Sequence, residues 1–197
     1  MAKKLTKVLR FSTGTKGRPH REIFQHFFNR GQYQAAQEVL EDASDAGMLT
    51  PFEAANLRAC LAAAQGALAE AEAYCLEARR HAQNDVQRAA TYENEAFIRA
   101  AQGDFRGATE AARQGIHLAP QVEGLWVNLL SALAAIKDDD EIDAVLRIMS
   151  QTVDLRHTKA LRLHLLNDPD LSYVRNRPEF DQSIKSMLVT EVNHESS

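Results

Sequence analysis

The side chains able to do chemistry are scattered along this 197-residue chain. Seven histidines (His20, His26, His81, His117, His157, His164 and His194) include no H-E-x-x-H pair. There is no G-x-S-x-G elbow, no phosphate-binding glycine loop and no C-x-x-C. Cys60 and Cys75 are too few for a disulfide scaffold or a four-ligand zinc site and read as small buried hydrophobes. Asp168 and Asp170 flank Pro169 and read as caps of a short helix rather than as metal ligands. The run Asp138 to Glu141 reads as a solvated turn heading a helix, where negative charge suits the helix dipole. No catalytic residue, cofactor or metal is expected, so the chain is not read as an enzyme. What remains is binding chemistry. Asn56, Asn94 and Asn128 carry amides that both donate and accept, and so can pair with any peptide bond whatever its side chain.

A second binding chemistry is electrostatic. The formal net charge of −4 conceals an asymmetry: residues 1–21 hold Lys3, Lys4, Lys7, Arg10, Lys16, Arg18 and Arg21 with no carboxylate, which leaves −11 for the rest. Leu5, Val8 and Leu9 fall on one helical face of this arm, so it could lie on an anionic surface. The Gly17-Arg18-Pro19 core resembles an AT-hook, in which an arginine enters a narrow minor groove. Two readings stay open for the arm: a disordered, solubilising leader, with Pro19 in the first turn of a helix, or a phosphate-contacting segment.

The elements that must position these residues follow from composition and period. Glycine (9) and proline (5) make up about 7% of the chain, well below the roughly 12% of average usage. Alanine, the best helix former, numbers 31. No stretch approaches eighteen apolar residues and no secretory leader is evident, so a cytoplasmic location is expected. An internal period runs through the middle: Gly31-x-Tyr33-x-x-Ala36, Gly66-x-Leu68-x-x-Ala71 and Gly103-x-Phe105-x-x-Ala108. Another small residue follows twelve positions after each glycine, at Ala43, Ala78 and Gly115. A degenerate fourth copy has Lys137, Ile142 and Met149 in these slots, with Asp138 to Glu141 in place of the glycine turn. Each period reads as two antiparallel helices, the small residues allowing close approach and the glycine ending the first helix.

Spacing and slots resemble the tetratricopeptide repeat. The fourth period supplies Trp126, Leu129 and Leu130, and the third supplies Tyr92 and the closing Pro120. Arg58 and Glu95 depart from the pattern's Leu slot, and Arg99 from an aromatic slot. The resemblance implies an all-α, short right-handed α-solenoid of about four helix hairpins, with repeats near 17–50, 52–85, 89–122 and 123–156. It also implies a concave groove lined by the first helices and suited to an extended peptide or partner helix. Asn56, Asn94, Asn128, Phe28, Phe97, Ser131, Arg21 and Gln25 are the expected groove residues. Some relatives hold a C-terminal carboxylate in a clamp of cations and amides, but here Glu93 faces the groove and would repel one.

From Thr158 onward a helix offering Ala160, Leu161, Leu163 and Leu165 or Leu166 for burial leads into Asp168-Pro-Asp-Leu171, Val174-Arg175 and Pro178-x-Phe180. This series is similar to the tail that closes the array in many bacterial tetratricopeptide proteins, and implies capping helices over 157–188. Residues 1–16 are expected as a flexible arm and 189–197 as a disordered tail. The resulting expectation is a non-catalytic protein-interaction adaptor taking a peptide or partner helix in its groove. The alternative is a nucleic-acid-associated factor using the arm, and self-association through the solenoid ends is a third option.

Overall fold

The structure is a computed structural model describing residues 18–153 and 158–189. Among these residues every regular element is helical. The helices come in pairs: α1 (Arg18–Asn29) with α2 (Tyr33–Asp45), α3 (Pro51–Ala64) with α4 (Leu68–His81), α5 (Asp85–Ala101) with α6 (Phe105–Leu118), and α7 (Glu123–Ile136) with α8 (Asp139–Thr152). The second helix of each pair also packs on the first helix of the next pair, and α5 lies against both α3 and α7. The chain is thus an all-α solenoid of stacked hairpins, closed by α9 (Lys159–Asn167), a 3-10 turn (Pro169–Leu171), α10 (Ser172–Arg175) and α11 (Pro178–Val189).

One turn geometry recurs inside all four hairpins. At the end of α3, the Gly66 amide donates to Ala63 O and the Ala67 amide to Ala62 O. The same pair of bonds runs from Gly31 and Gln32 to Phe28 and Phe27, and from Gly103 and Asp104 to Ala100 and Arg99. It also runs from Lys137 and Asp138 to Ala134 and Leu133. These bonds satisfy the orphan carbonyls at a helix end and demand a left-handed residue. Gly31, Gly66 and Gly103 have φ of 71°, 82° and 83°, and Lys137 follows them at φ 56°. The fourth copy therefore keeps the turn that Asp138 to Glu141 were expected to replace. Asp138 is instead the N-cap of α8, its carboxylate accepting the Glu141 amide at 3.3 Å.

The small-residue slots are packed as their spacing predicts. Ala36, Ala71 and Ala108 are fully buried, as are Ala43 and Ala78 one turn of the pattern later. A Cβ added at Gly115 would lie 2.5 Å from Leu125 Cδ2, so α6 and α7 meet there at glycine distance. Ile142 and Met149, the large substitutes in the fourth copy, are also fully buried, but in different company. They belong to a core that α7 and α8 share with Leu161 and Leu165 of α9, Leu171, Val174, and Phe180, Ile184 and Met187 of α11. The fourth hairpin is filled by the tail rather than by close helix approach.

Some boundaries shift. The third hairpin starts at Asp85, not near 89, because Asn84 caps α5 by accepting the Gln87 amide at 2.9 Å. Pro51 opens α3 behind a capping box in which Thr50 and Glu53 satisfy each other's amides. In α9, Leu161 and Leu165 are buried whereas Leu163 and Leu166 are 49% and 43% exposed, since only one face of that helix meets α7. Asp168 caps the 3-10 turn, accepting the Asp170 amide at 3.0 Å. The tail is pinned by Arg177, which grips Asp143 through Nη2 at 2.7 Å and Nε at 3.2 Å and reaches Asp139 at 2.6 Å. The Tyr173 hydroxyl donates to the same Asp139 at 2.7 Å.

Candidate functional site: the inner layer of first helices

The first helices α3, α5 and α7 lie side by side and carry the predicted groove residues. Their mutual register is set by polar contacts. Asn94 Nδ2 on α5 donates to Asn56 Oδ1 on α3 at 2.9 Å, and the Cys60 thiol donates to Asn94 Oδ1 at 3.4 Å. Asn128 Nδ2 on α7 donates to the Glu93 carbonyl on α5 at 2.9 Å. The structure thus brings all three asparagines into one layer. It engages them in stitching neighbouring hairpins together, with Asn56 and Asn94 only 7% and 5% exposed. A buried amide of this kind must find partners within the protein, and here the partners are the next repeat.

The other predicted groove residues separate into two groups. Phe28 is a core residue at 6% exposure, stacked on Phe24 with ring centroids 5.6 Å apart and tilted against Tyr33 at 5.7 Å. The cluster it joins draws on Ala36 and Leu40 of α2 and on Leu57, Cys60 and Leu61 of α3. Arg21 is likewise drawn inward, 7% exposed and ion-paired with Glu53 across α1 and α3. Gln25, Phe97 and Ser131 remain partly exposed, Gln25 donating to Asn29 Oδ1 at 2.6 Å. The Glu93 carboxylate, by contrast, is 6% exposed and abuts Gly124, where an added Cβ would come within 2.1 Å of Oε1. Lys3, Lys4, Lys7, Arg10 and Lys16, and with them the arm over 1–16, lie outside the described residues, as does the 190–197 stretch of the expected tail.

The seam between α4 and α5 holds a charge network built on the two positions of α5 that depart from the repeat pattern. Glu95 takes the Leu slot and Arg99 the aromatic slot, and the two pair at 2.7 Å. Arg79 of α4 joins them, 2.5 Å from Glu95, 3.2 Å from Thr91 Oγ1 and 4.3 Å above the Tyr92 ring. Burial pulls the Arg79 guanidinium down, yet the hydrogen bond and charge of Glu95 outweigh it and hold the group above the ordinary arginine range. Two adjacent slots that lose their apolar residue together, one gaining an acid and the other a base, are the signal that could have located this network.

Both cysteines are buried thiols outside any disulfide, Cys75 donating to Thr91 O at 3.0 Å. Among the described residues, no three His, Cys, Asp or Glu side chains are grouped as a metal would need, and no helix is long and apolar enough to cross a membrane. No family model, curated protein or solved structure matches the chain.

Proposed function

We propose that this chain is a non-catalytic protein-interaction module of the tetratricopeptide type, whose inner layer of first helices takes an extended peptide or a partner helix. The observation that carries the reading is the side-by-side placement of α3, α5 and α7 by the Asn56, Asn94 and Asn128 hydrogen bonds. A solenoid with its first helices held in one layer presents a continuous face across repeats. The lining is small and mildly apolar, from Cys60, Ala63, Ala100, Phe97 and Ser131. The buried Glu93 carboxylate makes that face favour neutral or cationic segments over a C-terminal carboxylate.

The structure changes which variants test this reading. Removing the asparagines would cut contacts between repeats, so the informative substitutions are at partly exposed positions. Peptide-library selection against the full chain, followed by titration of the selected peptides, provides the measurement. Ser131→Trp, which fills the face, should weaken binding about tenfold, roughly 1.4 kcal/mol. Leu76→Ser on the outer surface of α4, where Leu76 is 54% exposed, should leave it unchanged. Equal effects of the two substitutions, or selected peptides indifferent to both, would remove the inner face from the proposal.

A further inference from the structure

We infer that the seam between the second and third hairpins is the flexing point of the array: it pivots on the buried amides joining α3 to α5 and is held shut by a salt-sensitive clasp of charges running from α4 through α5 to α6. The device belongs to the scaffold and operates whether or not the inner face takes a peptide. Apolar anchorage is thinnest at this place. Of the six buried residues of α5, Thr91, Glu93 and Asn94 are polar, Ala89 and Ala96 are small, and Ile98 is the one large apolar side chain. Tyr92 and Phe97 are only partly buried. The flanking first helices are built otherwise: α3 buries Phe52, Leu57 and Leu61, and α7 buries Leu125, Trp126, Leu129, Leu130 and Leu133. Each large apolar side chain contributes about 1.5–3 kcal/mol on full burial, so α5 is the least firmly anchored of the three.

The polar contacts of the seam divide into two sets. In the inner layer, Asn94 donates to Asn56 and accepts from Cys60, and all three side chains are buried and uncharged, so added salt does not loosen them. One layer further out the contacts are ionic. Glu95 bridges Arg79 of α4 at 2.5 Å and Arg99 at 2.7 Å, and Arg99 reaches on to Asp104, the N-cap of α6, at 3.5 Å. At the end of α5, Gln102 Nε2 donates to the Glu72 carboxylate of α4 at 2.7 Å. The four ionic side chains are 21% to 51% exposed, so dissolved ions screen them. The ion pair across the preceding seam, Arg21 with Glu53, is 7% and 11% exposed and lies beside the Phe24, Leu40 and Leu57 cluster. Because α5 and α6 pack as one hairpin, loosening the clasp swings them away from α4 together, with the asparagine layer as the axis. The spacing of α4 from α6 then changes most and that of α3 from α5 least, which tilts one half of the inner face against the other.

Distances between spin labels in the full chain test this. Ala73→Cys on α4 with Arg106→Cys on α6 spans the clasp, and Glu38→Cys on α2 with Ala73→Cys spans the preceding seam; all three positions are exposed. Cys60 and Cys75 are buried and stay in place, and the unsubstituted chain reads any label they take up. A turn of about a third of a radian moves a helix lying about 10 Å from the axis by about 3 Å. Raising the salt from about 0.05 to 0.5 M shortens the screening length from about 14 to about 4 Å, and should lengthen or broaden the α4 to α6 distance by that amount while the α2 to α4 distance holds. Glu95→Gln should give the wider α4 to α6 distribution already at low salt and abolish its salt dependence. Two results would overturn the proposal: an α4 to α6 distance indifferent to salt, or an equal lengthening between α2 and α4, which would mean general loosening. The salt series uses the native clasp, so it decides the matter even where Glu95→Gln fails to fold.

Discussion

Lys137→Gly should stabilise the protein, an unusual direction for a substitution into glycine at a helix end. Lys137 has φ 56° and ψ 44°, the left-handed conformation its three counterparts reach as glycines. That conformation costs an L-residue roughly 1–2 kcal/mol through the clash of Cβ with the following carbonyl. Glycine returns about 0.4–1 kcal/mol of that through the greater freedom of its unfolded chain. The net gain is about 0.5–1 kcal/mol, or roughly 1–4 °C in Tm for a chain of this size. The side chain is exposed, so no packing is lost with it. Urea denaturation followed by circular dichroism, with unchanged m-value, measures the effect. Lys137→Ala is the control: it removes the long side chain but keeps Cβ, and should stay within about 0.5 kcal/mol of the parent. Gly66→Ala is the converse. Nothing lies within 4 Å of the added Cβ, so its cost, about 0.5–1 kcal/mol, isolates the dihedral. A gain from Lys137→Ala equal to that from glycine, or a neutral Gly66→Ala, would refute the shared-turn reasoning.

Three further outcomes follow from packing and charge. Asn56→Ala and Asn94→Ala should each cost about 1–3 kcal/mol by leaving the other amide buried without its partner, and the double variant less than their sum, as a double-mutant cycle in urea would show. Phe180→Ala, at a position 3% exposed within the core that joins the tail to α8, should cost about 3–5 kcal/mol and open the region after residue 157 to limited proteolysis. The Tyr173 phenol, held above its ordinary range of about 10 by its hydrogen bond to Asp139, should titrate late in ultraviolet absorbance, and Asp139→Asn should bring it back. Because the folded value is the higher one, its contribution to tail docking is complete below about pH 10 and lost as pH rises through the folded value.

The hairpin architecture was legible because it is written in spacing: a glycine, a large apolar residue two on, and small residues five and twelve on each play the same geometric part in the first three copies. The worn fourth copy keeps only the turn, at Lys137, where residue type fails as a guide and position succeeds. Which amides face a ligand was not legible. A side chain on a first helix can point along the open face or across to the next helix, and the two directions differ by less than one residue of helical rotation. Asn56 and Asn94 took the second course, and Phe28 turned toward its own hairpin partner. Departures from pattern proved informative once neighbours were known, since Glu95 and Arg99 make sense only beside Arg79, sixteen positions before Glu95. Likewise Arg177 was unremarkable in sequence until α11 brought it to Asp143.

The distribution of core between the two ends has a kinetic consequence. The hairpins up to α4 are held by alanines, two cysteines, Leu40, Leu57, Leu61 and a few aromatics in small separate clusters, whereas α7 to α11 share one core containing Trp126, Phe180 and eleven Leu, Ile or Met residues. In a linear array, where each unit is secured by its neighbours, such a gradient makes the chain open from the N-terminal end inward and nucleate from the other. Amide exchange should therefore fade progressively from α1 towards α8. On the ribosome, the repeats synthesised first are the last to be secured, and the α1 to α4 segment must wait for a keel that has not yet been made.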